Sequence, residues 1–435
     1  MRAVIVFLIA VGVTGFPRAT AQEHVHARDA GVGYTLAELE ESAQQQNAEL
    51  IALSQRVATV RARAGYAGSL EDPIVAYRNW GVPLSRPWDY NRSQHMFMVE
   101  RELPGRGKRA LRTQVADQDV IITEAMVEAK RRQIVSLVRA TFFDLIRNEH
   151  ELRLHREQVE LGGQALESAR IKYTVGRVPQ QDVMKAQVAL SRLSEHLFDI
   201  ERDGLLARAR LNTLIGRDPS QPIAVHGEYQ PALTLPSIAE LQTIAIEKRP
   251  ELAAANARIK GSELSVELAR KAYTPDFKVA GGYMLMPTGS PGRNAYMLEL
   301  GMNLPWLNRK RHDAEIAEAT AERLLQDAEA RAIRAIVLQE IQEAYVRAGA
   351  ALSLAKLYAG TLKPQAEATF QSAAAAYQTD KTDFLNLLES QNTYLDVEYD
   401  YYKALSEYEM RLAELEQAIG APLPRSAATT PEVKP

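Results

Sequence analysis

Two short stretches, Glu102-Leu-Pro-Gly-Arg-Gly-Lys-Arg109 and Asn303-Leu-Pro-Trp-Leu-Asn-Arg-Lys-Arg311, repeat a Leu-Pro step followed by a basic cluster. They lie about 200 residues apart, and other matches keep the same spacing on either side. Upstream, Leu36-Ala-Glu-Leu39 recurs as Ile238-Ala-Glu-Leu241, Asn47-Ala-Glu-Leu50 as Arg249-Pro-Glu-Leu252, and Pro73 as Pro275. Downstream, Ile215-Gly216 recurs as Ile419-Gly420. A period this long and steady marks a tandem duplication and not a short-period solenoid. The sequence therefore divides into two repeats, 34–230 and 231–421, with flexible segments expected at 22–33 and 422–435.

Immediately before each Leu-Pro step the hydrophobic period is two, the signature of a strand with one apolar face. In the second repeat Phe277, Val279, Gly281, Tyr283 and Leu285 alternate with Lys278, Ala280, Gly282, Met284 and Met286. After the turn Pro287-Thr-Gly-Ser-Pro-Gly292, Tyr296, Leu298, Leu300, Met302 and Leu304 alternate with Ala295, Met297, Glu299, Gly301 and Asn303. Strands of about ten residues match the length that crosses a membrane at a tilt. In the first repeat Phe97, Val99 and Leu103 oppose Glu100 and Glu102, while Arg101 falls on the apolar row, where it belongs at a membrane interface. A half-buried soluble hairpin produces the same alternation. Four strands cannot close a barrel, so the membrane reading requires an oligomer.

Beyond the basic cluster the period becomes helical. No proline interrupts 109–173, and Ile134, Val138, Leu145 and Leu152 keep helical spacing, which predicts one helix about 100 Å long. The returning helix carries Leu190, Leu193, Leu197, Ile200, Ala207, Leu211 and Leu214, a heptad seam matched in the second repeat by Leu405, Tyr408, Leu412, Leu415 and Ile419.

Composition narrows the function. A formal net charge of −3 gives no basic footprint, so nucleic acid is not an expected partner. The absence of cysteine excludes disulfides, thiolate metal sites, a cysteine nucleophile and an acylated N-terminal cysteine. Residues 1–21 combine Arg2, a short apolar run and Ala19-Thr-Ala21, the pattern of a secretory signal peptide. No convergent polar constellation points to an enzyme or a cofactor. The histidines do not form a ligand motif, and Gly105-Arg-Gly-Lys-Arg109 lacks the first glycine and the Ser/Thr of a phosphate loop, so it reads as a turn entering a helix.

The signal peptide, duplication, membrane-length hairpins and very long helices together resemble the TolC family of outer-membrane efflux channels, over residues 34–422. Thr35-Leu-Ala-Glu-Leu39 and Asn47-Ala-Glu-Leu50 are similar to that family's opening helix, and Leu103-Pro-Gly-Arg-Gly-Lys-Arg109 to its strand-to-helix junction. Tyr173-Thr-Val-Gly176, Asp182-Val183 and Ala186-Gln187 resemble its periplasmic tip. Glu71-Asp-Pro73, Val82-Pro-Leu84 and Glu102-Leu-Pro-Gly105 are most similar to the branch that exports heavy-metal cations. The resemblance implies an α+β membrane protein: a homotrimer whose four strands per chain build a twelve-stranded barrel in outer-membrane lipid. A long helical coiled-coil barrel would extend it through the periplasm. It further implies a passive channel, energised by an inner-membrane RND pump and contacted by a periplasmic adaptor, for heavy metals or alternatively for drugs. A periplasmic coiled-coil adaptor or structural protein is the competing class.

Asp383, Asn386 and Glu389 follow i, i+3, i+6 spacing on one helix face, and by the same resemblance Asn386 and Glu389 fall where the family narrows the periplasmic aperture; an ordinary acidic helix start gives the same pattern. Val175, Gly176, Arg177 and Asp182, with Thr379, Asp380 and Lys381 in the second repeat, fall at the adaptor-facing tips, although any tight helix hairpin also uses a glycine. Six methionines, Met96, Met98, Met284, Met286, Met297 and Met302, lie in the strands, and all but Met302 share the small or polar row. Thioethers suit Cu(I) or Ag(I), but a wide barrel holds side chains apart, so no metal site is assigned from sequence.

Overall fold

The computed structural model describes residues 33–82, 84–227, 229, 234–287, 289–290, 292, 294–379, 381–382 and 384–423. The signal peptide, most of 22–33 and of the C-terminal tail, Asp380 and Asp383 lie outside them.

In the first repeat α1 (Leu36–Gln46) and α2 (Ala48–Ala67) precede β1 (Ile74–Trp80) and β2 (Gln94–Leu103). Then come α3 (Lys108–Thr174) and α4 (Gln180–Leu214). The second repeat runs α5 (Ile238–Lys248), α6 (Pro250–Arg270), β3 (Phe277–Leu285), β4 (Asn294–Met302), α7 (Arg309–Leu357), α8 (Lys363–Gln378) and α9 (Phe384–Ile419). Among the described residues no helix is long and apolar enough to cross a membrane.

The recurring sequence blocks are helix boundaries. Thr35 and Ser237 each accept from the backbone N–H three residues on, while Glu38 and Glu240 return a carboxylate to the cap N–H at 3.0 Å. The single opening helix expected from the sequence is in fact two. Asn47 leaves helical geometry (ψ 121°), restarts the chain as the cap of α2, and donates Nδ2 to the Leu214 carbonyl at 2.9 Å. Arg249 repeats the break (ψ 120°) and donates to the carbonyl of Ala418 at the end of α9. Different chemistry thus ties the same corner in both repeats.

Each corner encloses a core. Leu39 and Ala43 pack with Ile134, Val138, Phe142, Leu145, Leu211 and Ile215. Leu241 and Ala245 do the same with Ile341, Ala348, Tyr408, Leu415 and Ile419. Leu152 is half-buried, and Leu154 takes the buried position, joining Leu161, Leu388 and Leu395 in a seam between α3 and α9. That seam binds the two repeats along the coil.

The α3 helix has 67 residues, about 100 Å at 1.5 Å per residue. Its counterpart is not continuous in hydrogen bonding: a π turn at Tyr358–Leu362 separates α7 from α8. Pro364 follows directly, and without an N–H it cannot close an α-helical bond, so the wider turn absorbs the defect.

The strands form one antiparallel sheet in the order β1-β2-β3-β4. The central β2–β3 pair joins the repeats, from His95 opposite Leu285 to Leu103 opposite Phe277. They have 7, 10, 9 and 9 residues, so β1 is shorter than the expected ten, and Asn303 and Leu304 lie beyond β4.

Candidate functional site

Register sorts the sheet into two faces of opposite character. On the outer face Tyr77, Phe97, Tyr283 and Tyr296 form one transverse row. The next row holds Val75, Val99, Gly281 and Leu298; then come Arg101, Val279 and Leu300, and finally Leu103, Phe277 and Met302. Most of these apolar side chains are open to solvent in the single chain, Tyr296 to 91% and Leu298 and Leu300 to more than 70%. An aromatic row above an aliphatic band is the pattern that a lipid-facing strand wall carries. Arg101 stands exposed on that face next to the strand end, as the alternation requires.

The inner face mixes charged, small and methionine side chains, with Ile74 at one edge. One row is Arg78, Met96, Met284 and Ala295; the next is Ala76, Met98, Gly282 and Met297; then Ile74, Glu100, Ala280 and Glu299. Charges there are paired across strands. Arg78 Nη2 reaches Glu100 at 3.2 Å, Lys278 Nζ reaches the same carboxylate at 2.9 Å, and Arg78 Nη1 lies 3.9 Å from Glu299. One network thereby crosses all four strands.

Among the described residues β1 and β4 each pair with a single strand, leaving both outer edges of the sheet unpaired. Open edges in hydrocarbon would leave backbone groups unsatisfied, so this sheet needs neighbouring strands before it can sit in a membrane.

The junction between sheet and helices is built around Asp276, which no local sequence pattern singles out. Its carboxylate accepts from Gly105 N–H at 2.6 Å and from Lys108 Nζ at 2.8 Å through both oxygens. Asn303 receives the Asp276 N–H at 2.7 Å and donates back to Oδ2 at 3.3 Å. Burial raises the carboxyl's affinity for a proton, but Lys108 and the Gly105 N–H outweigh it and hold the group below the usual aspartate range. Lys108 is thus neutralised within the fold, and the glycine-rich turn is a strand-to-helix corner.

At the opposite end, Val175 caps α3 and Gly176 adopts φ +74°. The Gly176 N–H donates to Tyr173 and Arg177 N–H to Lys172 at 2.9 Å, a closure that favours glycine at the left-handed position. Val175, Gly176 and Arg177 are exposed, and Asp182 is half-buried in the first turn of α4. In the second repeat Lys381 N–H donates to Ala376 at 2.9 Å, the same bond as Arg177 to Lys172, with Thr379 and Lys381 exposed. Asn386 and Glu389 are exposed on α9 and line a groove against α8 with Thr369, Ser372 and Thr393. The structure brings these two together; Asp383 and Asp380 are outside the described residues.

Packing accounts for His150 and His155. His150 stacks on Tyr402 with ring centroids 3.8 Å apart, and its basicity is lowered by burial and by Arg153, against the pull of Glu398. His155 lies 3.1 Å from the Leu193 carbonyl. Among the described residues no three His, Asp or Glu side chains gather as metal ligands.

Comparison with known proteins agrees with this geometry. Residues 241–421 match the family described as Outer membrane efflux protein. The chain is 22% identical over 318 residues to the cobalt-zinc-cadmium resistance protein CzcC of Cupriavidus metallidurans, covering 72% of this chain and 74% of that one. Among solved structures, the outer-membrane channel OprN superposes with a TM-score of 0.73 at 18% identity, covering 89% of this chain and 90% of its own. CusC, solved in a study of its folding and transmembrane channel formation, gives 0.74 at 15%, with 90% and 93% covered. VceC of Vibrio cholerae gives 0.72 at 18%, with 89% and 96% covered. At these identities the structural likeness is one of fold.

Proposed function

With its second repeat matching the outer membrane efflux protein family, we propose that this chain is the outer-membrane channel of a tripartite efflux system. It conducts substrate passively from the periplasm to the exterior. The observation that carries the reading is the sheet: a solvent-open apolar face with an aromatic row, a charged inner face, and two unpaired edges. Three copies joined edge to edge give a closed wall of twelve strands, a size with an open lumen. The long helices then continue below the membrane as a coiled-coil barrel in the periplasm, and the two repeats take the bounds 34–230 and 231–421.

A channel without an energy source needs partners. The exposed turns at Val175–Arg177 and at Thr379 and Lys381 lie farthest from the sheet and form the contact for a periplasmic adaptor, which couples the trimer to an inner-membrane RND pump. Asn386 and Glu389 narrow the periplasmic end, where three copies meet around the axis. Heavy-metal cations are the proposed cargo, supported by the resistance protein CzcC among its relatives.

Fractionation and planar-bilayer recording test the reading together. The protein should sediment with outer membranes and give ohmic channels from a detergent-stable trimer. A soluble periplasmic monomer without conductance would establish the competing adaptor class.

A further inference from the structure

The inner row of the sheet carries four methionines in a smaller area than their sequence positions indicate. Met96 on β2 is directly opposite Met284 on β3, and one row nearer the helices Met98 on β2 and Met297 on β4 flank Gly282 on β3. Directly opposed side chains start about 5 Å apart and diagonal ones about 7–8 Å, within reach of an unbranched thioether. Met284 is direct or diagonal to the other three.

Gly282 is what opens the space. A Cβ there would stand 2.4 Å from the Phe97 carbonyl and 3.0 Å from Met98 Cγ, so the Met98 side chain lies in the notch of the missing side chain. Met98 is 1% exposed even though it sits on the inner face. Across a bare glycine, β2 and β4 are about 10 Å apart, and two methionines leaning toward each other bridge that gap. The width of the assembled barrel is therefore not the relevant distance: these ligands all belong to one chain.

Nearby charges do not bar a cation. Arg78 and Lys278, the basic groups of this face, are both engaged by Glu100, with Glu299 beside Arg78. Thioethers are soft, neutral ligands that select Cu(I)-like ions over Zn(II) or Co(II).

We propose that Met96, Met98, Met284 and Met297 form a thioether site for a soft monovalent cation, Cu(I) or Ag(I), on the pore wall of each protomer. The proposal rests on the channel reading, which turns this face to the lumen. It adds a substrate class, with up to three equivalent stations around one pore.

Purified trimer labelled at the methionine methyl carbons and titrated with Ag(I) tests it by NMR. Four methyl signals per chain should shift together and saturate near one Ag(I) per chain, and Zn(II) should move none of them. Met284→Leu should weaken binding at least tenfold while the trimer persists, and Met302→Leu, on the outer face, should leave it unchanged. Absence of Ag(I)-dependent shifts, or retention of full affinity in Met284→Leu, overturns the site. Bilayer conductance of the same preparation separates the two claims: a conducting trimer without shifts removes the site alone, and shifts without conductance remove the channel alone.

Discussion

Replacing Asp276 by alanine removes the group that joins the sheet to α3, and the structure sets the size of the effect. The Lys108 side chain is 9% exposed while that of Asp276 is 40% exposed. Stripping one partner from a fully buried pair costs about 3–5 kcal/mol, and the partly wet carboxylate reduces this to about 2 kcal/mol. The Gly105 N–H loses its acceptor as well, adding about 1 kcal/mol. A local loss of about 3 kcal/mol is roughly a 100-fold fall in protection. Hydrogen–deuterium exchange of the purified trimer should show it at amides 105–111 and not at the tip, 170–182. Adding Lys108→Met to Asp276→Ala removes the orphaned charge and should recover about tenfold. Because the folded carboxyl titrates below its ordinary value, its contribution is complete above about pH 4 and disappears as pH falls through the folded pKa; Asp276→Ala lacks that acid step. A change under about threefold, or one of equal size at the tip, would show that Asp276 does not hold the sheet to α3.

Other outcomes follow from the same geometry. If the exposed turn docks the proposed adaptor, Gly176→Trp should abolish efflux-dependent resistance with trimer yield intact; normal resistance would move the contact elsewhere. Glu389→Ala should lower cation selectivity in planar bilayers, and unchanged reversal potentials would remove Glu389 from the aperture. His150 has a depressed folded pKa, so its contribution is complete above its unfolded value of about 6.5 and is lost as pH falls through the folded one. The thermal midpoint should therefore drop more for the wild type than for His150→Gln between pH 7.5 and 5.5; parallel drops would show that His150 is not the titrating group.

Periodic features are legible in the amino-acid sequence. The duplication, the α3 helix and the heptad seams follow from spacing alone, and the two faces of β3 and β4 follow from alternation, because each is a property of consecutive residues. Features that depend on register or on exceptions to period are not legible in this way. Asp276 meets Gly105 and Lys108 across a sequence separation that no local pattern spans; its one sequence signal is that Asp276 stands where the first repeat has Ile74, a divergence inside an otherwise repeated block. The breaks at Asn47 and Arg249 do carry local signals, an N-cap asparagine and Pro250 at the first helical position, but neither signal says that another helix has already ended just before it. Pro364 is the visible mark of the π turn, yet a proline alone does not say whether a helix ends or widens. The methionines stand out as a row, but their pairing across Gly282 requires the strand register.

An outer-membrane channel built from this sheet requires β1 of one protomer to pair with β4 of the next and close a trimeric barrel. With no native cysteine, the chain accepts a clean disulfide scan of its two edges: a cysteine at Val75 combined in turn with one at Tyr296, Leu298, Leu300 or Met302. Oxidation in outer-membrane extracts should give a covalent trimer on a non-reducing gel for at least one pair, the register of the closed wall. Monomer alone in every pair, with a native mass of one chain, would contradict the account.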